Sequence, residues 1–565
     1  MYFRSVSSLF PRFVATAVVT AAVFLAFHET AAGQRPTPSP TPVDALPVQP
    51  DFTTPPQPMP ATDRIGVNIT DQLSLTLDQA IEMALKNSND IEESRKDTTI
   101  ANFGTKAAKG IYDPLLTSEH YYESATTPTA SAIGGAVNGA VTQTRIYGSW
   151  GASGLSPYQG GSYSSLFVSS RTTSSNTNSF LNPQYPSSLN ITYTQPLFRN
   201  RSFDSARRLI EIAKKNESLS DSQLRQKAID TITSVEQAYW DLVFALRNLQ
   251  IQTETLKQAK EQLESNKRLV ARGVLAPIEI VAANAQISTF EQNVYVAQET
   301  VTRDENTLKT VILPDRSAVE WAKPLTPVTP IHLDTPQIGL QVAVAEALKN
   351  RPEIEQLDAN TEINRINERY FRNQTKPQID LVGSYTPQGL AGTTTPAAIN
   401  PTTGVNRVPP NLVGGYFNSI GNLFQQDYPT YRASIIFSLP FGNHVAKANL
   451  GTALVQGERL KNQRAQTEQM IEADVRNALQ ALRSSESRLA SATAARIAAE
   501  ELYSSEERQF RSGTATFYLV LQRQTDLLTA RGRELQAQTD LNKAISTFHH
   551  AVGTTLTVNN VTVTK

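Results

Sequence analysis

From Leu197 to Arg272 the chain carries neither glycine nor proline, and from Glu458 to Ser512 it carries neither again. Glycine and proline are the residues that most readily interrupt a helix, so both runs are free to stay helical throughout. A helix over about residues 203–271 would extend on the order of 100 Å at 1.5 Å per residue. No compact domain accommodates that length. Apolar residues recur in steps of three and four at Ile232, Val235, Tyr239, Leu242, Leu246, Leu249, Leu256, Leu263 and Val270, which is the pattern of a coiled-coil seam.

Both runs end alike, at "RGVLAPIEIVAANAQ" (272–286) and "SGTATFYLVLQRQTD" (512–526). Gly273 suits a helix C-cap and Pro277 a first-turn position, so residues 278–312 can return antiparallel to the first run. Gly513 does the same in the second run, and Leu528, Leu535, Leu541, Ile545 and Phe548 form the returning stripe, weakened somewhat by Gly532. The breaks are expected to be hairpin tips. Val274, Leu275 and Ala276 on one tip, with Thr514 and Ala515 on the other, are smaller and more apolar than a solvent-facing turn usually carries. They fit either an ordinary apolar turn or a surface that docks another protein's helices.

A second echo precedes the runs. "LTLDQAIEMALKNSNDIEES" and "LQVAVAEALKNRPEIEQL" share "ALKN" followed by an acid and isoleucine, Asp90 with Ile91 and Glu353 with Ile354, which reads as internal duplication. Thr76 and Gln79 form a capping-box signature before a stripe of Ile81, Ala84 and Leu85. In each copy two alternating segments lie between the short helices and the long one. "SLNITYTQPLF" sets Leu189, Ile191 and Tyr193 against Asn190, Thr192 and Thr194; "TYRASIIFSLPFG" does likewise, with Ile436 as the one intruder. "IDLVGSY" and "PLLTSEHYYES" are weaker examples. The expected count is four strands per chain, with polar loops over 127–187 and 389–429. Within the first loop, residues 141–170 fit an extra hairpin outside the membrane or longer barrel strands.

The first 33 residues, with Arg4 and Arg12 before "FVATAVVTAAVFLAF", read as a signal peptide. Ten prolines between Pro36 and Pro60 predict an extended linker over 34–65. The balanced charge, 52 basic against 52 acidic residues, argues against a nucleic-acid binder. The chain has no cysteine, which excludes disulfides, thiolate metal sites and a lipidated cysteine. An exported chain without a spanning helix crosses an outer membrane only as a closed barrel, and four strands are too few to close one. Several chains would have to share a barrel.

No enzyme is expected. The histidines show no ligand spacing, and no Walker loop, dinucleotide fingerprint or nucleophile elbow is present; no cofactor or metal is implied. Arg199, Arg201, Arg207, Arg208, Lys214 and Lys215 read as a solvated charge run. A surface-exposed coiled-coil protein or adhesin is the alternative function, although a stalk gains nothing from amphipathic strands feeding each hairpin.

Taken together, "LTLDQAIEMALKNSNDI" with its echo "VAVAEALKNRPEI", the strand-ending "TQPLFRN" and "SLPFGN", and the two tips resemble the TolC family of outer-membrane efflux and secretion channels, over about residues 66–555. The resemblance implies a mixed α and β membrane protein with two tandem repeats, 66–312 and 340–552, joined by an equatorial linker at 313–339 and followed by a tail at 553–565. It implies a homotrimer with a twelve-stranded barrel in the outer-membrane lipid and a helical barrel in the periplasm. The partners it implies are a periplasmic adaptor at the tips (Gly273, Val274, Leu275, Gly513, Thr514, Ala515) and an inner-membrane pump or ABC transporter. It also implies a periplasmic constriction. Glu279 falls where one family acid lies and reads equally as a solvated helix residue, whereas Leu519 and Gln522 occupy places where acids can stand. Ala515 replaces a basic residue and Phe510 a tyrosine, so the gate would be hydrophobic rather than anionic.

Overall fold

The computed structural model describes residues 64–563 except 69–70, 130–131, 137 and 331–334; the expected signal peptide and nearly all of the proline-rich linker lie outside them. Strand β1 (Leu73–Leu75) leads into α1 (Leu77–Asn87) and α2 (Asn89–Lys109). The capping box forms: the Gln79 amide donates to the Thr76 hydroxyl at 3.2 Å, and the Thr76 amide donates to the Gln79 side chain at 3.0 Å. Ile81 and Ala84 are buried and Leu85 is half-buried.

The sheet departs from expectation. Strands β2 (Leu115–Pro128), β3 (Ala140–Leu155), β4 (Ser162–Ser174) and β5 (Leu181–Pro196) come from the first half of the chain. The long helix α3 (Ser205–Ala271) and its return α4 (Ile278–Ile312) follow. After β6 (Leu325–Pro327), which pairs in parallel with β1, come α5 (Leu340–Asn350), α6 (Pro352–Gln374) and β7 (Gln378–Thr394). The chain continues through α7 (Tyr416–Gln425), β8 (Tyr428–Ser438), α8 (His444–Arg511) and α9 (Phe517–Val552). Strands β2-β3-β4-β5-β7-β8 form one antiparallel six-stranded sheet. The expected four strands are therefore six, and residues 127–187 are mostly strand rather than loop. Residues 141–170 form neither a hairpin outside the sheet nor longer strands; they insert two new strands between β2 and β5. The twelve-strand arithmetic, which rested on four strands per chain, does not follow.

Strand alternation sorts the sheet into two faces. Register puts Leu116, Ala152, Ser165, Ile191, Tyr385 and Tyr431 in one row, and the same face carries Trp150, Phe167, Leu381, Ile435 and Phe437. The other face carries Glu119, Ser149, Arg145, Thr192, Ser384 and Arg432, interrupted by Leu115, Tyr121, Val141, Tyr147, Leu166, Val168, Val382 and Ile436, while the first face also holds His120 and Arg171. The inserted strands thus continue the sidedness of their neighbours. On the first face Leu116, Trp150, Ile191, Tyr431 and Ile435 are exposed in the single chain.

The long helices match expectation closely. α3 holds 67 residues and α8 holds 68. Ile232, Val235, Tyr239 and Leu242 are fully buried, in a cluster with Ile81, Ala84, Val301, Leu308 and Ile312 that joins α1, α3 and α4. A second cluster repeats this arrangement, with Ala343 and Ala347 of α5 packed on Ile471, Val475, Leu541 and Phe548 of α8 and α9. The basic run after β5 is not simply solvated. Arg208 lies over the rings of Tyr370 and Phe371, 4.8 and 5.2 Å from their centroids, and its Nε donates to Asn367 at 2.7 Å.

Candidate functional site

The two hairpin tips are built by the same local chemistry. α3 ends with Gly273 at φ 72° and α8 with Gly513 at φ 81°, the left-handed region where a side chain is strained. The Gly273 amide donates to Val270 O at 2.9 Å and the Val274 amide to Leu269 O at 3.0 Å. The Gly513 amide donates to Phe510 O at 3.0 Å and the Thr514 amide to Gln509 O at 2.9 Å. Each pair is a Schellman cap, which satisfies carbonyls the helix end would otherwise leave open. A Cβ at either glycine would meet no atom within 4 Å, so backbone conformation alone demands glycine there.

Beyond the caps, Val274 and Thr514 are exposed, while Leu275 and Ala515 are half-buried. Pro277 is the N-cap of α4 rather than its first helical residue, a one-residue shift. Glu279 stands half-buried in the first turn of α4, where a carboxylate also complements the helix dipole. Leu519, six residues after Gly513 as Glu279 is after Gly273, is half-buried on α9, and Gln522 is exposed one turn further on.

Sequence reasoning missed the side chain that joins the hairpins. Phe517, the first residue of α9, is 2 % exposed. It packs in a cluster with Leu256, Leu263, Ile280, Ile287 and Phe290 of the first hairpin, and Phe510 lies against that cluster. Its aromatic character after a Gly-Thr-Ala-Thr turn was the available signal. A polar layer was also missed. Asn266, Asn284 and Gln524 are buried among the apolar seam residues near the tips, and Asn284 and Gln524 stand eleven residues after Gly273 and Gly513 respectively. The Gln262 amide donates to Asn266 Oδ1 at 2.9 Å, while Asn266 Nδ2 meets no acceptor among the described residues. Deeper in the first hairpin, Lys260 pairs with Glu291 across α3 and α4 at 2.7 Å.

At the other end of the helices, α9 is fastened to α3 by polar contacts. Lys543 bridges to Asp241 at 2.8 Å and His550 meets Asp230 at 3.0 Å. Glu236 accepts from the Ser546 hydroxyl and from Asn559 Nδ2 at 3.0 Å. Burial raises the Glu236 pKa above the ordinary glutamate value, against these donors and His550, which lower it. Burial lowers the pKa of His549, whose Nδ1 sits 3.1 Å from the Thr554 hydroxyl. Both histidines are helix-packing residues.

The fold is shared with solved outer-membrane channels. OprN, described as an outer-membrane channel, is 16 % identical, with a TM-score of 0.57 over 90 % of this chain and 98 % of that one. The Campylobacter jejuni CmeC outer membrane channel is 16 % identical, with a TM-score of 0.59 over 85 % of each chain. The Neisseria gonorrhoeae MtrE outer membrane channel, in its open state, is 16 % identical, with a TM-score of 0.57 over 85 % of this chain and 89 % of that one. No curated protein matches the sequence. Residues 165–312 and 343–554, well over half of the chain, match the family model described as outer membrane efflux protein; that match begins inside β4 and leaves β2 and β3 outside it. The chain belongs to the outer membrane efflux protein family.

Proposed function

We propose that the protein is the exit duct of a tripartite efflux or type I secretion assembly, passively conducting small molecules or secreted proteins from an inner-membrane pump and its periplasmic adaptor to the outside. As a family member it resides in the outer membrane, with a large helical portion in the periplasm. The observation that carries the reading is the apolar face that runs across all six strands of a sheet whose edges, β2 and β8, are both open. Backbone groups on an open edge cannot be left unpaired in a bilayer, so β8 of one copy needs β2 of another.

Three copies give a wall of eighteen strands, all antiparallel, because β2 and β8 run in opposite directions. A ring of eighteen strands 4.8 Å apart and tilted by about 40° has a radius of about 18 Å. Four long helices per chain give twelve, and a ring of twelve helices about 10 Å apart has a radius of about 19 Å. The two tubes then meet at matching widths. Internal duplication, with α1, α2, α3 and α4 echoed by α5, α6, α8 and α9, accounts for the alternating hairpins.

The tips, with Gly273, Val274, Leu275, Gly513, Thr514 and Ala515, are the adaptor-docking surface, and Glu279, Leu519 and Gln522 mark the periplasmic constriction. Leucine at the second hairpin's position makes that constriction more apolar than an all-acidic ring. The test is deletion of the gene followed by complementation. Loss should sensitise cells to dyes, detergents or antibiotics, or abolish secretion of a protein substrate; normal growth under all these challenges with normal secretion would contradict the reading.

A further inference from the structure

Helix α7 has its polarity inverted. Successive residues turn by about 100° on a helix, so Ser419, Asn422 and Leu423 share one side and Phe417, Ile420 and Phe424 the other. The side turned to the sheet is mainly polar, with Leu423 its one buried apolar residue: Ser419 Oγ lies 2.8 Å from Ser187 Oγ, and Asn422 Nδ2 donates to Leu390 O at 2.8 Å and Asn411 O at 2.7 Å. Phe417 is 83 % exposed and Phe424 71 %. A helix in water shows the opposite arrangement, with its apolar stripe turned inward. The buried hydrogen bonds fix the orientation, because rotating the phenylalanines inward would strip the amide and hydroxyl groups of their partners.

The location identifies what covers this stripe. Register puts Ser187 of β5 and Gly389 of β7 on the same face as Ile191 and Tyr385. A Cβ at Gly389 would come within 2.0 Å of Ser419 O, so glycine is what lets α7 approach the sheet this closely on that face. The helix rests on β5 and β7, one strand in from the open β8 edge where another copy would join. It also lies toward the end of the sheet opposite α3 and α8, since β5 passes this level on its way down into α3 and β8 runs from it down into α8.

We infer that α7 is an interfacial helix lying on the outer wall of the barrel, with Phe417 and Phe424 inserted among the acyl chains of the outer leaflet of the outer membrane. This rests on the reading of the sheet as a barrel wall whose apolar face meets lipid. The stripe continues that lipid-facing belt upward, and an amphipathic helix at this depth buries its apolar side at the boundary between headgroups and chains. It anchors the extracellular end of the barrel at a fixed height in the bilayer.

The absence of native cysteine makes the test direct. F417C, F424C and, as a control on the belt, I435C are each spin-labelled in the full-length protein reconstituted into lipid vesicles. Collision with oxygen, which partitions into lipid, is compared with collision with a water-soluble nickel chelate. Labels at 417 and 424 are expected to favour oxygen severalfold, as the label at 435 does. If 435 favours oxygen but 417 and 424 favour nickel, the helix is solvent-exposed and the inference fails. If 417 and 424 are shielded from both, a protein covers the helix and the inference also fails. If 435 itself favours nickel, the barrel reading on which the inference rests is what fails.

Discussion

The rings of Phe510 and Phe517 lie 5.7 Å apart across the second hairpin tip, and Phe517 is buried within the apolar cluster of the first hairpin, against which Phe510, Leu521 and Leu528 also pack. That contact couples the two tips within one chain. Truncating a buried phenylalanine costs about 3–5 kcal/mol where the surroundings cannot collapse. F517A is therefore expected to loosen the tips while leaving the sheet folded. In planar bilayers the variant should show a higher open probability than the parent channel; unchanged gating with an unchanged melting temperature would remove Phe517 from any coupling role.

The caps at Gly273 and Gly513 make a quantitative comparison possible, because an added Cβ meets open space at both. G273A and G513A should each cost about 1–2 kcal/mol, the strain of a left-handed residue alone. Thermal melts of the purified protein should show two similar losses. A much larger loss at one tip would mean that it is packed against another subunit.

Glu236 gives a pH signature. Burial raises its pKa in the folded protein, so as pH rises the unfolded chain ionises at this residue first. Its contribution to stability is fully present below the ordinary glutamate value, about 4.3, and is lost as pH climbs through the raised folded value. E236Q cannot ionise and is expected to gain melting temperature relative to the parent as pH rises from the acid range to neutrality. A stability difference that does not change with pH would show that Glu236 is ionised alike in both states.

Asn266 is fully buried in the coiled-coil core and has an unpartnered Nδ2 among the described residues. A buried donor left open costs about 1–3 kcal/mol, and a polar core residue fixes register at the expense of stability. N266L should therefore raise the melting temperature. A fall would mean that the amide makes contacts in the assembled channel that outweigh its burial.

The helices were legible because their signal is long. Seventy-odd residues without glycine or proline and a seam with nine apolar positions leave little freedom, and the observed Ser205–Ala271 and Ile278–Ile312 fall within two residues of expectation. Strands β3 and β4 were obscured because a barrel strand needs only one apolar face per ten residues or so. In "TRIYGSWGASG" that face is reduced to Ile146, Gly148, Trp150 and Ala152, and the rest reads as turn composition. Phe517 escaped notice because it directly follows a turn, where aromatic residues are usually exposed. Asn266 escaped because the seam was traced through apolar residues only. Glu279 and Leu519, six residues after Gly273 and Gly513, and Gln522, nine after Gly513, are placed in the proposed constriction by spacing from the tip glycines alone.

The most direct test of the account is a strand count. Single-particle electron microscopy of the full-length protein in lipid nanodiscs should show a threefold-symmetric barrel of eighteen strands, with β3 and β4 in the wall between β2 and β5. A twelve-stranded wall with residues 140–174 folded away from it, or a particle without threefold symmetry, would contradict it.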